Sequence, residues 1–99
     1  MPAFMILFDD ALDVAEAEPA LRDEHIAYFL AAGPKVILGA ALSEEGNPSG
    51  RLLVGEFASL EAARAFAENE PLVKAGRVRQ WRATAAAVVQ KDGAYFPIH

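Results

Sequence analysis

The side chains best suited to proton transfer are His25 and Glu70. His25 is one of two histidines in a chain of 99 residues that contains no cysteine. A half-buried imidazole with a carboxylate partner titrates near neutrality and has its tautomer fixed by that partner, so His25 could act as a general acid or base. Glu70 stands between Asn69 and Pro71, where the chain is expected to turn back toward a predicted β-sheet. It is the best candidate for the carboxylate partner of His25.

Both residues also have a structural interpretation. A histidine between Leu21 and Phe29 on the inner face of a helix can be a core side chain that binds a backbone carbonyl. A glutamate in the first turn of a helix favours the positive end of the helix dipole. The two interpretations stay open on the sequence alone, and the distance between the two side chains decides between them.

A basic cluster is the third candidate for chemistry. Residues 74–91 include five basic and no acidic side chains, among them Arg77, Arg79 and Arg82 around Trp81. Guanidinium groups hold oxyanions and stack on rings, so an arginine such as Arg79 could bind an anionic or phenolic ligand. The cluster could equally be a solvated charged face. Nucleic-acid binding is disfavoured because the whole chain has a net charge of −5.

Composition and motifs exclude several classes. Asp9, Asp10 and Asp13 lack the spacing and closing glutamate of a calcium loop, and no Walker, Rossmann or G-x-S-x-G signature is present. We therefore expect neither a metal nor a cofactor. No apolar run approaches the roughly 20 residues of a membrane span, and the N-terminus lacks the basic start of a signal peptide. The absence of cysteine fits a cytoplasmic protein.

The elements that must position these residues follow a β-α-β-β-α-β order. Hydrophobic patterning predicts strands over residues 3–8, 36–42, 52–57 and 78–90, helices over 19–32 and 59–68, a short helix ending at Gly76, and a long mobile turn over 43–50. This is the ferredoxin-like pattern of an α+β protein, an antiparallel sheet with both helices on one face. We expect the 99 residues to form one domain.

The first two strands are apolar on both faces, which indicates burial on both faces. Two helices cover only one face of a sheet, so we expect a second copy of the chain to cover the other. The side chains expected in this homodimer contact are Leu38, Ala40, Leu42, Leu53 and those of residues 83–89.

Four stretches share their order with one family of small proteins. They are Arg22-Asp23-Glu24-His25, Leu38-Gly39-Ala40-Ala41 through Gly50, the Glu-Phe-Ala-Ser-Leu-Glu-Ala-Ala run over 56–63, and Asn69-Glu70-Pro71-Leu72 before Ala75-Gly76. Together they resemble the Arg-x-x-His helix, glycine-containing hairpin, E-F-x-S-x-E-E-A helix start and D-P-F…G turn of the YCII-related (YciI-like) family, over residues 4–89.

The resemblance implies a ferredoxin-like fold that dimerises sheet to sheet into an α/β barrel. It also implies a pocket where the helix histidine meets the aspartate of the D-P turn. Carried over to this chain, these residues are His25 and Glu70, with Arg22 as a substrate-binding candidate beside Arg79. Glu70 replaces the family's aspartate, and Leu72 replaces its usual aromatic residue.

Related proteins include a dehydrochlorinase of a chlorinated hydroxyhydroquinone. We therefore expect a cofactor-free lyase or isomerase of a small cyclic or phenolic compound. In it His25 moves a proton, Glu70 orients the imidazole, and an arginine holds the substrate oxyanion. The alternatives are a non-catalytic dimer module that binds or senses a small molecule, and a purely structural dimer.

Overall fold

A four-stranded antiparallel sheet carries the helices of this chain on one face. The computed structural model describes residues 2–11 and 16–95. The elements are, in chain order, β1 (Ala3–Asp10), α1 (Pro19–Ala32) with a 3₁₀ turn (Gly33–Lys35), β2 (Val36–Glu44), β3 (Asn47–Glu56), α2 (Leu60–Glu68), α3 (Pro71–Lys74), β4 (Val78–Ala86), β5 (Gln90–Lys91) and β6 (Ala94–Tyr95). The sheet has the strand order β2-β3-β1-β4, and β5 and β6 form a separate hairpin. The predicted ferredoxin-like α+β fold is confirmed.

The helix boundaries lie at a proline, a glycine and a serine whose local chemistry starts or ends a helix. Pro19 occupies the first turn of α1, where its missing N–H is not needed. Gly33 ends that helix with a positive φ of 54°. Ser59 caps α2 by accepting a hydrogen bond of 3.1 Å from the backbone N–H of Ala62. All three boundaries agree with the prediction.

The core lies between the sheet and the helices. Phe4, Ile6 and Phe8 alternate along β1 and are buried, whereas their neighbours on the strand are only partly so. Ala63 and Ala67 of α2 are fully buried, and their small size lets this helix approach the sheet closely. Helix α1 contributes no fully buried residue, although its Phe29 packs against the core.

The prediction of a long mobile turn over residues 43–50 is wrong. β2 continues to Glu44 and β3 begins at Asn47, so only Glu45 and Gly46 connect them. Both have positive φ angles, 50° and 83°, as in the tight turns that match the twist of a hairpin. Pro48 is tolerated because β1 pairs with β3 only as far as Arg51, so β3 has a single neighbouring strand at the proline.

Two further expectations need correction. Leu53, expected in a contact between two sheets, is 2% exposed and lies in the core on the helix side. The strand predicted over residues 78–90 ends at Ala86, and the residues that follow lead into the β5–β6 hairpin, whose turn is Asp92-Gly93. Residues 96–99 lie outside the described part of the chain. Over the residues described, no helix has the length and apolar character needed to cross a membrane.

Candidate functional site

His25 and Glu70 are in direct contact. The Nδ1 atom of His25, on α1, lies 2.6 Å from Oε1 of Glu70, which stands at the junction of α2 and α3. The glutamate side chain is fully buried and the imidazole is 14% exposed. The predicted contact between these two side chains is therefore present.

The junction of two helices aims the Glu70 carboxylate. Glu70 has an extended backbone and is the N-cap of α3, with Pro71 in the first turn. Its Oε2 atom accepts a hydrogen bond of 3.0 Å from the backbone N–H of Val73. One carboxylate oxygen is thus fixed by the helix that the residue begins, and the other is directed at His25.

Arg51 on β3 connects this pair to a second carboxylate. Its Nη1 atom donates to Glu70 Oε1 over 3.1 Å. Its Nε and Nη2 atoms donate to the two oxygens of Asp10 at 2.7 Å and 2.9 Å, a bidentate pairing that fixes the guanidinium plane. The guanidinium carbon also lies 4.4 Å from the centre of the Phe8 ring. Arg51 is therefore held on three sides.

The opposite charges at the site keep Glu70 and Arg51 in their ionised forms. Burial raises the pKa of Glu70, but the hydrogen bond from His25 and the charge and hydrogen bond of Arg51 outweigh it, so its pKa is lowered overall. Burial lowers the pKa of Arg51, and Asp10 and Glu70 together more than offset this. Glu70 is consequently an ionised carboxylate beside a permanently charged guanidinium.

This ionisation fixes the tautomer of His25. An ionised carboxylate only accepts hydrogen bonds, so Nδ1 must carry the hydrogen in the short contact with Glu70. Nη1 of Arg51, at 3.4 Å from Nδ1, is then a second donor directed at the same carboxylate and not a partner of the ring. Nε2 is the ring nitrogen that remains able to gain or lose a proton.

A cavity of about 430 Å³ lies between α1 and the β2–β3 hairpin. Its polar lining consists of Asp10, His25 and Arg51. The rest is largely apolar and includes Phe8, Phe29, Val36 and Leu53. Gly39 also lines it, and a side chain built there would meet nothing within 4 Å, so the absence of a side chain on β2 keeps the space open. A cavity of this volume is within the range of small-molecule sites, and His25 forms part of its wall.

The two predicted arginines lie elsewhere. Arg79 is 61% exposed, and its Nη1 atom donates to the backbone oxygen of Asp10 over 2.5 Å. Arg22 is half-buried on α1. Neither residue lines the cavity, and their roles in substrate binding stay predictions. Over residues 2–11 and 16–95, no group of three histidine, aspartate or glutamate side chains is arranged to hold a metal ion.

Arg51 and Asp10 were not predicted as site residues, although strand alternation contains the signal for both. Asp10 continues the even-numbered series of Phe4, Ile6 and Phe8 that faces the helices. Arg51 belongs in the same way to the inward series of β3. Charged side chains on two inward strand faces must be paired, and adjacent strands are the simplest way to pair them.

Comparisons with known proteins agree with this architecture. A family model described as the YCII-related domain matches residues 3–90. Among solved structures, the chain is similar to the 5-chloro-2-hydroxyhydroquinone dehydrochlorinase from Burkholderia phenoliruptrix AC1100 in complex with 2,5-dihydroxybenzoquinone. The TM-score is 0.61 and the identity 21%, over 83% of this chain and 90% of that chain. At this identity the likeness shows a shared fold alone.

More distant structures include a putative antibiotic biosynthesis monooxygenase from Chloroflexus aurantiacus J-10-fl. It has a TM-score of 0.42 and 14% identity, over 94% of this chain and 100% of that one. A second antibiotic biosynthesis monooxygenase gives the same TM-score and identity, over 91% and 100%. No curated protein matches the sequence.

Proposed function

We propose that this chain, which belongs to the YCII-related domain family, binds a small cyclic or phenolic compound beside His25 and acts on it as a cofactor-free lyase or isomerase. The observation that carries the proposal is the 2.6 Å contact between His25 Nδ1 and Glu70 Oε1. This contact gives the imidazole one fixed tautomer at the wall of a largely apolar cavity.

His25 exchanges the proton through Nε2. With Nδ1–H committed to Glu70, Nε2 has a free lone pair in the neutral ring and can act as a base. When Nε2 takes a proton, the resulting imidazolium lies beside the ionised Glu70, which stabilises its charge. Glu70 does not take the proton itself because its lowered pKa keeps it ionised. The ring can then return the proton to another atom of the bound compound.

Arg51 is better suited than Arg79 to hold a developing oxyanion. A guanidinium has five N–H donors. Three of those of Arg51 bind Asp10 and Glu70, which leaves one N–H on each terminal nitrogen. Arg51 lines the cavity together with His25. An oxygen that has lost its proton to Nε2 can therefore be stabilised by Arg51.

The balance of charge favours a neutral proton donor as the ligand. Asp10 and Glu70 are two negative charges against the single positive charge of Arg51, so the site is negative while His25 is neutral. A phenol that enters uncharged and gives its proton to Nε2 leaves the total charge of the site unchanged. A ligand that enters as an anion is repelled unless His25 is already protonated. The site therefore favours a ring hydroxyl over a carboxylate.

The dehydrochlorinase that shares this fold suggests a concrete reaction class. Loss of HCl from a chlorinated hydroxyhydroquinone balances without an external oxidant. One hydroxyl proton moves to the chlorine-bearing carbon, and a second leaves with the chloride as a quinone forms. A base that can also return a proton, and a cation beside the oxyanion, are the groups that such an elimination needs. His25 and Arg51 supply both kinds of group.

Binding of 5-chloro-2-hydroxyhydroquinone and the release of chloride from it test the proposal. We expect saturable chloride release, a loss of about 10²-fold or more in kcat for His25→Gln, and a smaller loss for Glu70→Gln. Arg51→Gln should weaken binding, whereas the matched variant Arg79→Gln should not. Binding without turnover would identify the non-catalytic module instead. Failure to bind this compound would show that the ligand class is wrong.

We also propose that the chain forms a homodimer through the face of the sheet that carries no helix. Cross-strand pairs on that face join Met5 to Val54 and Leu7 to Leu52, and β2 adds Leu38 and Ala40 opposite Val54 and Leu52. Leu38 is 51% exposed in the single chain. A continuous apolar patch of this kind is typical of a surface that a partner covers, and a second copy presents the same patch.

A further inference from the structure

Hydrogen bonds from His25 and Tyr28 join helix α1 to the end of α2. The first is the contact between His25 and Glu70. The second is a hydrogen bond of 2.7 Å in which the hydroxyl of Tyr28 donates to the backbone oxygen of Phe66. His25 and Tyr28 are three residues apart on α1, so they lie on the same side of the helix about one turn apart. The acceptors, Phe66 and Glu70, lie on the segment that carries the chain out of α2.

The carbonyl that Tyr28 binds is not used by the normal ladder of the helix. In a regular α-helix the oxygen of Phe66 would accept from the N–H of Glu70. That N–H binds the oxygen of Ala67 instead, over 3.2 Å. The oxygen of Phe66 is therefore one of the terminal carbonyls that need another donor, and Tyr28 supplies it. The bond ties α1 to α2 at the place where the backbone turns toward Glu70.

Ring packing adds to these two hydrogen bonds, since the centroid of the Phe29 ring lies 5.6 Å from that of Phe66. None of the residues of α1 is fully buried, and no side chain caps the N-terminus of this helix. The ring of Tyr28 packs on that of Phe66 at 4.8 Å between centroids, which holds the helices together but does not specify the hydroxyl bond. Burial and the charge of Glu70 raise the pKa of Tyr28, so its hydroxyl stays a donor.

We infer that Tyr28 is a positioning residue: its hydroxyl fixes the end of α2 against α1 and thereby sets Glu70 at the distance from His25 that holds the Nδ1–H tautomer. Tyr28 does not line the cavity beside His25, so the effect does not involve contact with a ligand. The catalytic meaning of the tautomer rests on the proposed function, whereas the tautomer itself can be measured without any substrate.

The test is ¹⁵N NMR of the imidazole ring of His25, assigned by the signals that disappear in His25→Gln. At a pH where the ring is neutral, the unmodified protein should give a protonated Nδ1 and an unprotonated Nε2. In Tyr28→Phe we expect both nitrogens to shift toward intermediate values, because the two tautomers then mix. Unchanged nitrogen shifts in Tyr28→Phe would overturn the inference.

Two matched variants separate this effect from a general loosening. Tyr95→Phe removes the same hydroxyl from a tyrosine that is 69% exposed. Asn69→Ala removes a side-chain bond of 2.8 Å to the Ala65 oxygen at the same end of α2, without any link to α1. Both should keep the tautomer of the unmodified protein. If Asn69→Ala mixes the tautomers as much as Tyr28→Phe does, fraying of α2 explains the result and the inference fails.

The failure of this inference differs from the failure of the proposed function. Glu70→Gln removes the charge that holds Nδ1–H and should change the ring signals whatever Tyr28 does. If Glu70→Gln leaves the ring signals of His25 unchanged, the assigned His25–Glu70 pair is wrong. If Glu70→Gln changes these signals but Tyr28→Phe leaves them unchanged, only the positioning role of Tyr28 is wrong.

Should Tyr28→Phe not fold, a fluorinated tyrosine at position 28 in the Tyr95→Phe background replaces it. Ionising that phenol removes the donor and should mix the tautomers, and an ionisation without this change would overturn the inference.

Discussion

Glu70 satisfies three groups with its two carboxylate oxygens. Oε2 caps α3 through the N–H of Val73, and Oε1 binds both His25 and Arg51. The side chain thus caps its own helix and still reaches across to α1. A carboxylate used in this way is stabilised only while it is ionised, which makes its contribution to stability dependent on pH.

Acid unfolding should reveal this contribution. The pKa of Glu70 is lowered from 4.5 in the folded protein, because the bonds and charge around it outweigh its burial. Its stabilisation is therefore fully present above pH 4.5 and is lost as the pH falls through the lowered folded value. Glu70→Gln should reduce the free energy of unfolding at pH 7 by about 3 kcal/mol. It should also weaken the dependence on pH in the acid range.

Urea unfolding followed by circular dichroism, at a series of pH values on both sides of 4.5, measures this difference. Glu68→Gln is the matched control, since Glu68 is an exposed carboxylate near the end of the same helix. It should change neither the stability at pH 7 nor the slope in acid. Parallel curves for Glu70→Gln and the unmodified protein would contradict the assignment of an ionised, buried Glu70.

The sequence predicted the His25–Glu70 contact but not its cationic partner, for a physical reason. Helical spacing placed His25 on the inner face of α1, and the Asn69-Glu70-Pro71 turn placed a carboxylate near it. Both signals are local. Arg51 depends on which face of β3 each residue takes, and so on strand register, and the cluster around Arg79 was the more conspicuous group of charges.

At the scale of elements, the β2–β3 hairpin connects the sheet to the site. Gly50 has a φ of 156°, and a side chain built there would collide with the backbone oxygen of Phe8. The close approach of β3 to β1 brings Arg51 directly opposite Phe8 in the register, two residues from Asp10. Composition alone suggested a loop here because glycine, asparagine, proline and serine are typical of turns. Pairing with β2 outweighed that local preference.

Gly50→Ala should therefore destabilise the fold and loosen the Arg51–Asp10 pair. A methyl group at this position meets a backbone atom, which cannot move aside as a side chain can, and the φ angle is unfavourable for alanine. We expect a loss of about 2 kcal/mol or more in the free energy of unfolding. Gly39→Ala, where the new atom meets nothing within 4 Å, is the matched control and should be close to neutral. Equal unfolding midpoints in urea for the two variants would contradict this account.

At the scale of the whole molecule, the two faces of the sheet differ: one carries the helices and the other carries an apolar patch. The cavity with His25 and Arg51 lies on the face that carries the helices. The apolar patch with Leu38 and Val54 lies on the opposite face, although Ala40 and Leu52 of the patch also border the cavity. The alternation of β1, with apolar residues on both faces, was sufficient to predict that each face is used. It could not assign Leu53 to the correct face, because that assignment again depends on the register of β3.

The mass of the particle in solution tests the proposed dimer. Light scattering at micromolar concentration should give twice the 10.6 kDa of one chain. Leu38→Glu should reduce the mass to that of one chain, because it adds a charge to the apolar contact. Leu38 is already 51% exposed in the single chain and can accept a polar side chain there. Ile26→Glu is the matched control, since Ile26 is 48% exposed on α1, away from the patch, and should leave the mass unchanged. A one-chain mass for the unmodified protein would contradict the dimer. A two-chain mass retained in Leu38→Glu but lost in Ile26→Glu would transfer the contact to α1, on the side of the cavity, where a partner would restrict access to His25.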